Sequence, residues 1–177
     1  MNHDRYADSY ITNILASVGS IAMVGASANT NRPSYFALKY LLGKGYAVHP
    51  VNPGLAGKEL LGRQVYGDLS EIPAPVDMVD IFRGAEAAGQ ITQDAIELKD
   101  KLGIKVIWMQ LTVRNDKAAG AAEAAGMRVV MNRCPKIEYG RLSGEIGWVG
   151  VYNGVITSAR PRLSPHSGQS LLLSPRS

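Results

Sequence analysis

Five short apolar runs alternate with amphipathic segments along this chain, and that alternation limits the possible folds more than any other feature. Residues 20–24, 46–51, 76–82, 104–109 and 127–131 are β-rich and largely apolar, as strands buried on both faces are. Residues 34–44, 85–102 and 115–125 carry apolar side chains at helical spacing, such as Ala37, Leu38, Leu41 and Leu42 in the first of them. Gly45 and Gly126 stand where left-handed residues end helices. A further helix is expected over 5–18, with Tyr6, Tyr10, Ile11, Ile14, Leu15 and Val18 on one face and Asp4 as its N-cap. Strands and helices in alternation predict a Rossmann-like doubly wound α/β fold, with about five parallel strands joined by right-handed crossovers. In such sheets ligands bind beyond the carboxyl ends of the strands.

The most informative of those ends follows Ile21-Ala22-Met23-Val24-Gly25, where Ala26-Ser27-Ala28-Asn29-Thr30-Asn31 leads into Arg32-Pro33-Ser34. A buried strand that turns through glycine into a helix opened by proline leaves amides free for an anion. The other carboxyl-end loops bring Asn52, Lys58, Arg83, Gln110, Arg114, Asn132 and Arg133, so five cations with Arg32 and several amides are expected around one mouth. A mouth of that kind suits a phosphorylated ligand with an apolar portion. The excursion over 55–75, punctuated by Gly57, Gly62 and Gly67, is long for a compact domain and belongs more naturally to a binding site than to a core.

Charge and composition narrow the ligand. The net charge is +4, but Arg160, Arg162 and Arg176 lie in a stretch without acids, which leaves sixteen Lys and Arg against fifteen Asp and Glu elsewhere. A basic surface for tracking nucleic acid is not indicated. The single cysteine, Cys134, allows no disulfide framework, and no His/Asp/Glu cluster has metal-ligand spacing. No apolar stretch approaches the roughly 18 residues a bilayer needs, and no signal-peptide core is visible, so a cytoplasmic protein is expected. A dinucleotide loop would have glycines where Ser27 and Thr30 stand, and an acid where Pro50-Val51-Asn52-Pro53 closes the second strand. An NAD(P)-dependent oxidoreductase is therefore disfavoured. No Gly-Lys-Ser/Thr follows Gly25, which excludes a nucleoside triphosphatase loop.

Five stretches in order resemble the small stand-alone coenzyme A-binding proteins, which are similar to the N-terminal domain of the succinyl-CoA synthetase α subunit. They are Val24-Gly25-Ala26-Ser27 with Arg32-Pro33-Ser34-Tyr35, Pro50 to Pro53, Val79 to Arg83, Trp108-Met109-Gln110, and Asn132 to Glu138. The resemblance, over roughly residues 13–142, implies a CoA-binding domain at 1–142 whose ligand is CoA or an acyl-CoA. By it the turn Gly25, Ala26, Ser27 and Asn29, with Arg32, Pro33 and Ser34, holds the phosphates. Asn52 and Pro53 lie beside adenine and the 3′-phosphate. The synthetase has a lysine directly after its Pro-Gly, where this chain has Leu55, and Lys58 is the nearest lysine here. Phe82, Arg83 and Gln110 border pantetheine, and Asn132, Arg133 and Cys134 close the last strand. The synthetase's catalytic histidine sits in a second domain without counterpart here, and His3, His49 and His166 match no motif.

Several of these residues also have plainer readings. Gly25 marks a turn in many parallel folds, Arg32 and Arg83 suit solvated surfaces, Cys134 suits a small inert hydrophobe, and His49 suits a core histidine. The resemblance puts Cys134 near the pantetheine thiol, within the reach that a mixed disulfide with CoA requires. After Pro135, Trp148, Val149, Val151 and Tyr152 flank Asn153-Gly154, which predicts a hairpin over 143–163 that packs on the domain or forms a homodimer surface. The Ser/Pro-rich residues 164–177 are expected to be disordered. No nucleophile, base and acid occur as a set, so no catalytic residues are assigned. The expectation is a CoA-binding module without catalysis of its own; the alternatives are the oxidoreductase and a nucleotide-responsive regulator acting on a partner protein.

Overall fold

The computed structural model describes residues 1–145, so the expected hairpin beyond residue 145 and the 164–177 tail lie outside the described residues. The five apolar runs form one parallel sheet, β1 (Ser20–Val24), β2 (Ala47–Val51), β5 (Met78–Ile81), β6 (Val106–Met109) and β7 (Arg128–Val130), in the order β2-β1-β5-β6-β7. From β1 the chain first lays β2 on one side and then returns to place β5 on the other, so the direction of winding reverses at the carboxyl end of β1. That reversal opens a crevice between neighbouring loops, the position ligands take in open sheets.

Both faces are covered, as the unalternating strands require. On one face Ile21, Met23, Met78, Val106, Trp108 and Val130 pack under α1 (Asp8–Ser17), α2 (Pro33–Gly43) and α5 (Pro135–Leu142). On the other, Ala22, Val79, Ile81, Ile107, Met109 and Val129 pack under α3 (Ala85–Leu102) and α4 (Asp116–Ala124). The doubly wound fold is therefore as expected.

Three local features depart from these expectations or add to them. The first helix begins at Asp8 rather than residue 5, and Asp4 does not cap it. Asp4 accepts instead from Arg114 at 2.5 Å, while Arg114 also grips Asp116, and this ties the start of the chain to the loop before α4. Second, residues 135–142 form helix α5. Pro135 starts it, Glu138 and Arg141 pair along it at 2.7 Å, and Tyr139 and Leu142 are buried against the neighbouring helices, so the chain after Pro135 belongs first to a helix. Third, His49 is only half-buried, at the outer edge of β2 beside Tyr66, with 6.0 Å between rings.

The 55–75 excursion gives that edge its cover. A two-residue antiparallel pair, β3 (Glu59–Leu60) with β4 (Arg63–Gln64), leads into Tyr66. The Tyr66 amide donates to Pro50 O and the Asn52 amide to Tyr66 O, both at 2.9 Å. Pro50 is tolerated in β2 because β1 pairs with only one side of that strand. Among the described residues no helix is long and apolar enough to cross a membrane.

Candidate functional site

A cavity of about 870 Å³ opens where the winding reverses. Its first wall is the turn after β1. Gly25 has φ of +92°, and a Cβ there would stand 2.6 Å from Phe82 O, so both backbone conformation and the close approach of β5 demand glycine. The turn is then shaped by its own side chains. Ser27 Oγ accepts from the Asn29 amide at 3.1 Å, Asn29 Oδ1 from the Asn31 amide at 2.9 Å, and Asn29 O from the Arg32 amide at 3.0 Å. Asn52 ties the turn to the end of β2, donating to Ala26 O at 2.7 Å and accepting from the Gly54 amide at 2.9 Å. Both ends of its amide are thus committed to the loops.

Helix α2 then starts at Pro33 with Arg32 as an N-cap that makes no side-chain capping bond. Arg32 and Arg83 are exposed, and both line the cavity with Ala26, Ser27, Pro33 and Ser34. A helix start and two guanidiniums make this end a seat for an anion.

Further lining comes from the segments that follow β5 and β6, with Phe82 and Gln110, and Asp80 lies behind Gln110. Gln110 is 6% exposed, and its Nε2 donates to Oδ1 of Asp80 at 2.8 Å. Asp80 is wholly buried in the middle of β5, and its Oδ2 has no hydrogen-bond partner among the described residues. Burial pushes its carboxyl up to about 7, the single bond from Gln110 only partly opposing the shift. Sequence reasoning missed Asp80; its signal was an acid inside the apolar run Met78-Val79-Asp80-Ile81. Cys134, at 8% exposure, also lines the cavity, and burial raises its thiol above the ordinary range. A thiol held protonated in this way is a poor nucleophile.

Of the residues expected at a ligand, Gly25, Ala26, Ser27, Arg32, Pro33, Ser34, Asn52, Phe82, Arg83, Gln110 and Cys134 line this cavity. Pro53 lines a smaller one of about 300 Å³ next to it, which Gly25, Asn52 and Arg83 share and which Val51, Leu69 and Ile91 make partly apolar. The structure gives the others different surroundings. Asn29 shapes the turn without lining either cavity, and Lys58 is exposed outside both. Asn132, at φ of +53°, accepts from the Thr112 amide at 2.8 Å and so fixes the loop after β6. Arg133 stacks over Tyr6 at 5.6 Å and lies 3.8 Å from Glu138. Arg114 is held by Asp4 and Asp116. In place of these cations Lys136, in the first turn of α5, lines the cavity, together with the unforeseen Phe36, Leu111, Thr112 and Ile137.

Comparison with known proteins gives this geometry a family. The model of the CoA binding domain matches residues 19–140, which include both cavity walls. The chain belongs to that family of CoA-binding domains. It is 31% identical over 129 residues to YneT of Bacillus subtilis (strain 168), covering 73% of this chain and 91% of YneT. It is 34% identical over 92 residues to the alpha subunit of acetate–CoA ligase [ADP-forming] I of Pyrococcus furiosus, covering 50% of this chain and 19% of that subunit. A solved structure of a hypothetical protein from Pyrococcus horikoshii OT3 superposes with a TM-score of 0.73 at 37% identity, covering 80% of this chain and 96% of that one.

Proposed function

We propose that this protein binds CoA or an acyl-CoA in the crevice at the carboxyl ends of β1, β5 and β6, and that it catalyses no reaction by itself. One observation carries the reading: a cationic seat at the start of α2, a partly apolar recess beside it and a wall of Phe82, Gln110 and Cys134 adjoin one another. The pyrophosphate goes to Ala26, Ser27 and Ser34 between the guanidiniums of Arg32 and Arg83. The adenosine goes to the smaller cavity. That recess also holds Asp68 and Asp94, which suit the donors of a base or ribose and repel a phosphate. The 3′-phosphate therefore falls outside it. Pantetheine follows Phe82 and Gln110 towards Cys134.

Several observations support binding without catalysis. Cys134 is a protonated thiol, Asp80 is sealed in the sheet, and neither His3 nor His49 lines the cavity. Among the described residues no group of His, Cys, Asp and Glu could hold a metal.

Titration calorimetry tests the binding. Arg32→Ala should weaken CoA by roughly 1.5–3 kcal/mol, the worth of a charge-assisted bond, and NAD should bind far more weakly than CoA. Equal or tighter NAD binding refutes the assignment. A thiol-release assay with carboxylate, ATP or GTP and magnesium tests the second half, since steady CoA consumption in proportion to protein would make the chain an enzyme.

A further inference from the structure

Among the described residues five large apolar side chains are exposed, namely Met1, Phe36, Leu61, Leu111 and Ile137. Three of them edge the same cavity: Phe36 at 49% exposure, Leu111 at 48% and Ile137 at 43%. They come from three separate segments, the first turn of α2, the loop after β6 and the first turn of α5. Single exposed apolar residues need no explanation, but three brought together at one mouth by the tertiary fold do.

We propose that this mouth receives the acyl chain of a CoA thioester, so that the protein selects apolar acyl-CoAs over free CoA. The inference rests on the CoA reading and names the ligand class of the same site. Arg32 and the three apolar side chains line the same cavity, so an occupant filling it meets both a guanidinium and an apolar rim. Free CoA ends in a thiol and would leave the three side chains in water. A thioester places its acyl group beyond pantetheine, past the buried Cys134, where the apolar mouth opens. A cation is in contact with this rim: Lys136 Nζ lies 5.7 Å from the centre of the Phe36 ring. It makes a carboxylated acyl group the competing occupant, and the experiment includes that arm.

Calorimetric titrations with CoA, butyryl-, hexanoyl-, octanoyl- and succinyl-CoA, below their micellar concentrations, decide the matter. Affinity should rise with chain length, by about fourfold for each methylene fully removed from water, and by at least tenfold between CoA and octanoyl-CoA. Phe36→Ser and Ile137→Ser should flatten the series, whereas Leu61→Asn, at an exposed apolar residue outside the cavity, should keep its slope. A flat series in the unmodified protein, with CoA still bound, overturns the proposal alone; so does a slope that survives both serine variants. Tighter binding of succinyl-CoA than butyryl-CoA overturns it in favour of Lys136 holding a carboxylate. A flat series with a concentration-dependent dimer that Phe36→Ser dissociates overturns it in favour of a second copy at the mouth. Failure of CoA and every thioester to bind overturns the CoA reading together with this one.

Discussion

Replacing Asp80 by asparagine should make the protein more stable in alkaline than in acid solution relative to the parent, and the size of the effect follows from the site. The carboxyl is wholly buried, with one bond from Gln110 at 2.8 Å and a second oxygen without a partner, and it is pushed up from 3.8 to about 7. Between those two values the folded protein keeps a proton that the unfolded chain has released. Stability contributed by the protonated group is therefore complete below the unfolded value and is lost as pH rises through the folded one, at about 1.4 kcal/mol per unit. Over roughly three units the loss is on the order of 4 kcal/mol. An amide in place of the carboxyl does not titrate. The asparagine variant should match the parent within about 1 kcal/mol at pH 4, since a neutral acid and an amide have similar shape. It should exceed the parent by up to roughly 4 kcal/mol at pH 8. Urea unfolding followed by circular dichroism from pH 4 to 8.5 measures the difference. Asp68, Asp77 and Asp116, whose pKa values are lowered, change stability in the opposite sense in more acid solution, but equally in both proteins, so they cancel. A difference that does not vary with pH would refute the reasoning, for it would mean that Asp80 is charged in the fold and compensated.

Other substitutions separate framework from ligand contacts. Gly25→Ala combines a positive φ with a Cβ 2.6 Å from Phe82 O, and should cost about 2–3 kcal/mol in urea denaturation; a loss under 0.5 kcal/mol would contradict the close approach. Lys58→Ala should change CoA affinity less than about twofold, because Lys58 lines neither cavity and an exposed charge contributes little; a tenfold loss would place the 3′-phosphate beside it. Cys134→Ser should leave reversible CoA binding intact while removing any CoA adduct seen by mass spectrometry under oxidising conditions, and an adduct that persists in the variant would exclude the only cysteine as its origin.

The sequence by itself determined what depends on neighbours along the chain. Uninterrupted apolar runs had to be strands covered on both faces, and Gly25 followed by Arg32-Pro33-Ser34 had to be a strand-to-helix turn with an open helix start. The five ordered motifs carried the family. Contacts distant in sequence decided the rest. Five cations stood near strand ends, yet Arg114 is taken by Asp4, 110 residues earlier, Arg133 by Tyr6 and Glu138, and Lys58 stands outside both cavities, which leaves Arg32 and Arg83 at the larger one with Lys136. Helix α5 was hidden because its stability comes from burying Tyr139 and Leu142 against other helices, and eight residues form no stable helix alone. Asp80 looked like one more residue of a strand motif; only the packing of α1, α2 and α5 over that face seals it from water and makes its charge costly. The mouth of Phe36, Leu111 and Ile137 had no sequence signature, since nothing in their spacing says that three loops and helix starts meet around one cavity. Periodicity fixes which face of an element is buried, whereas the company a side chain keeps is set by strand order and long-range pairing, and these exist only once the sheet has formed.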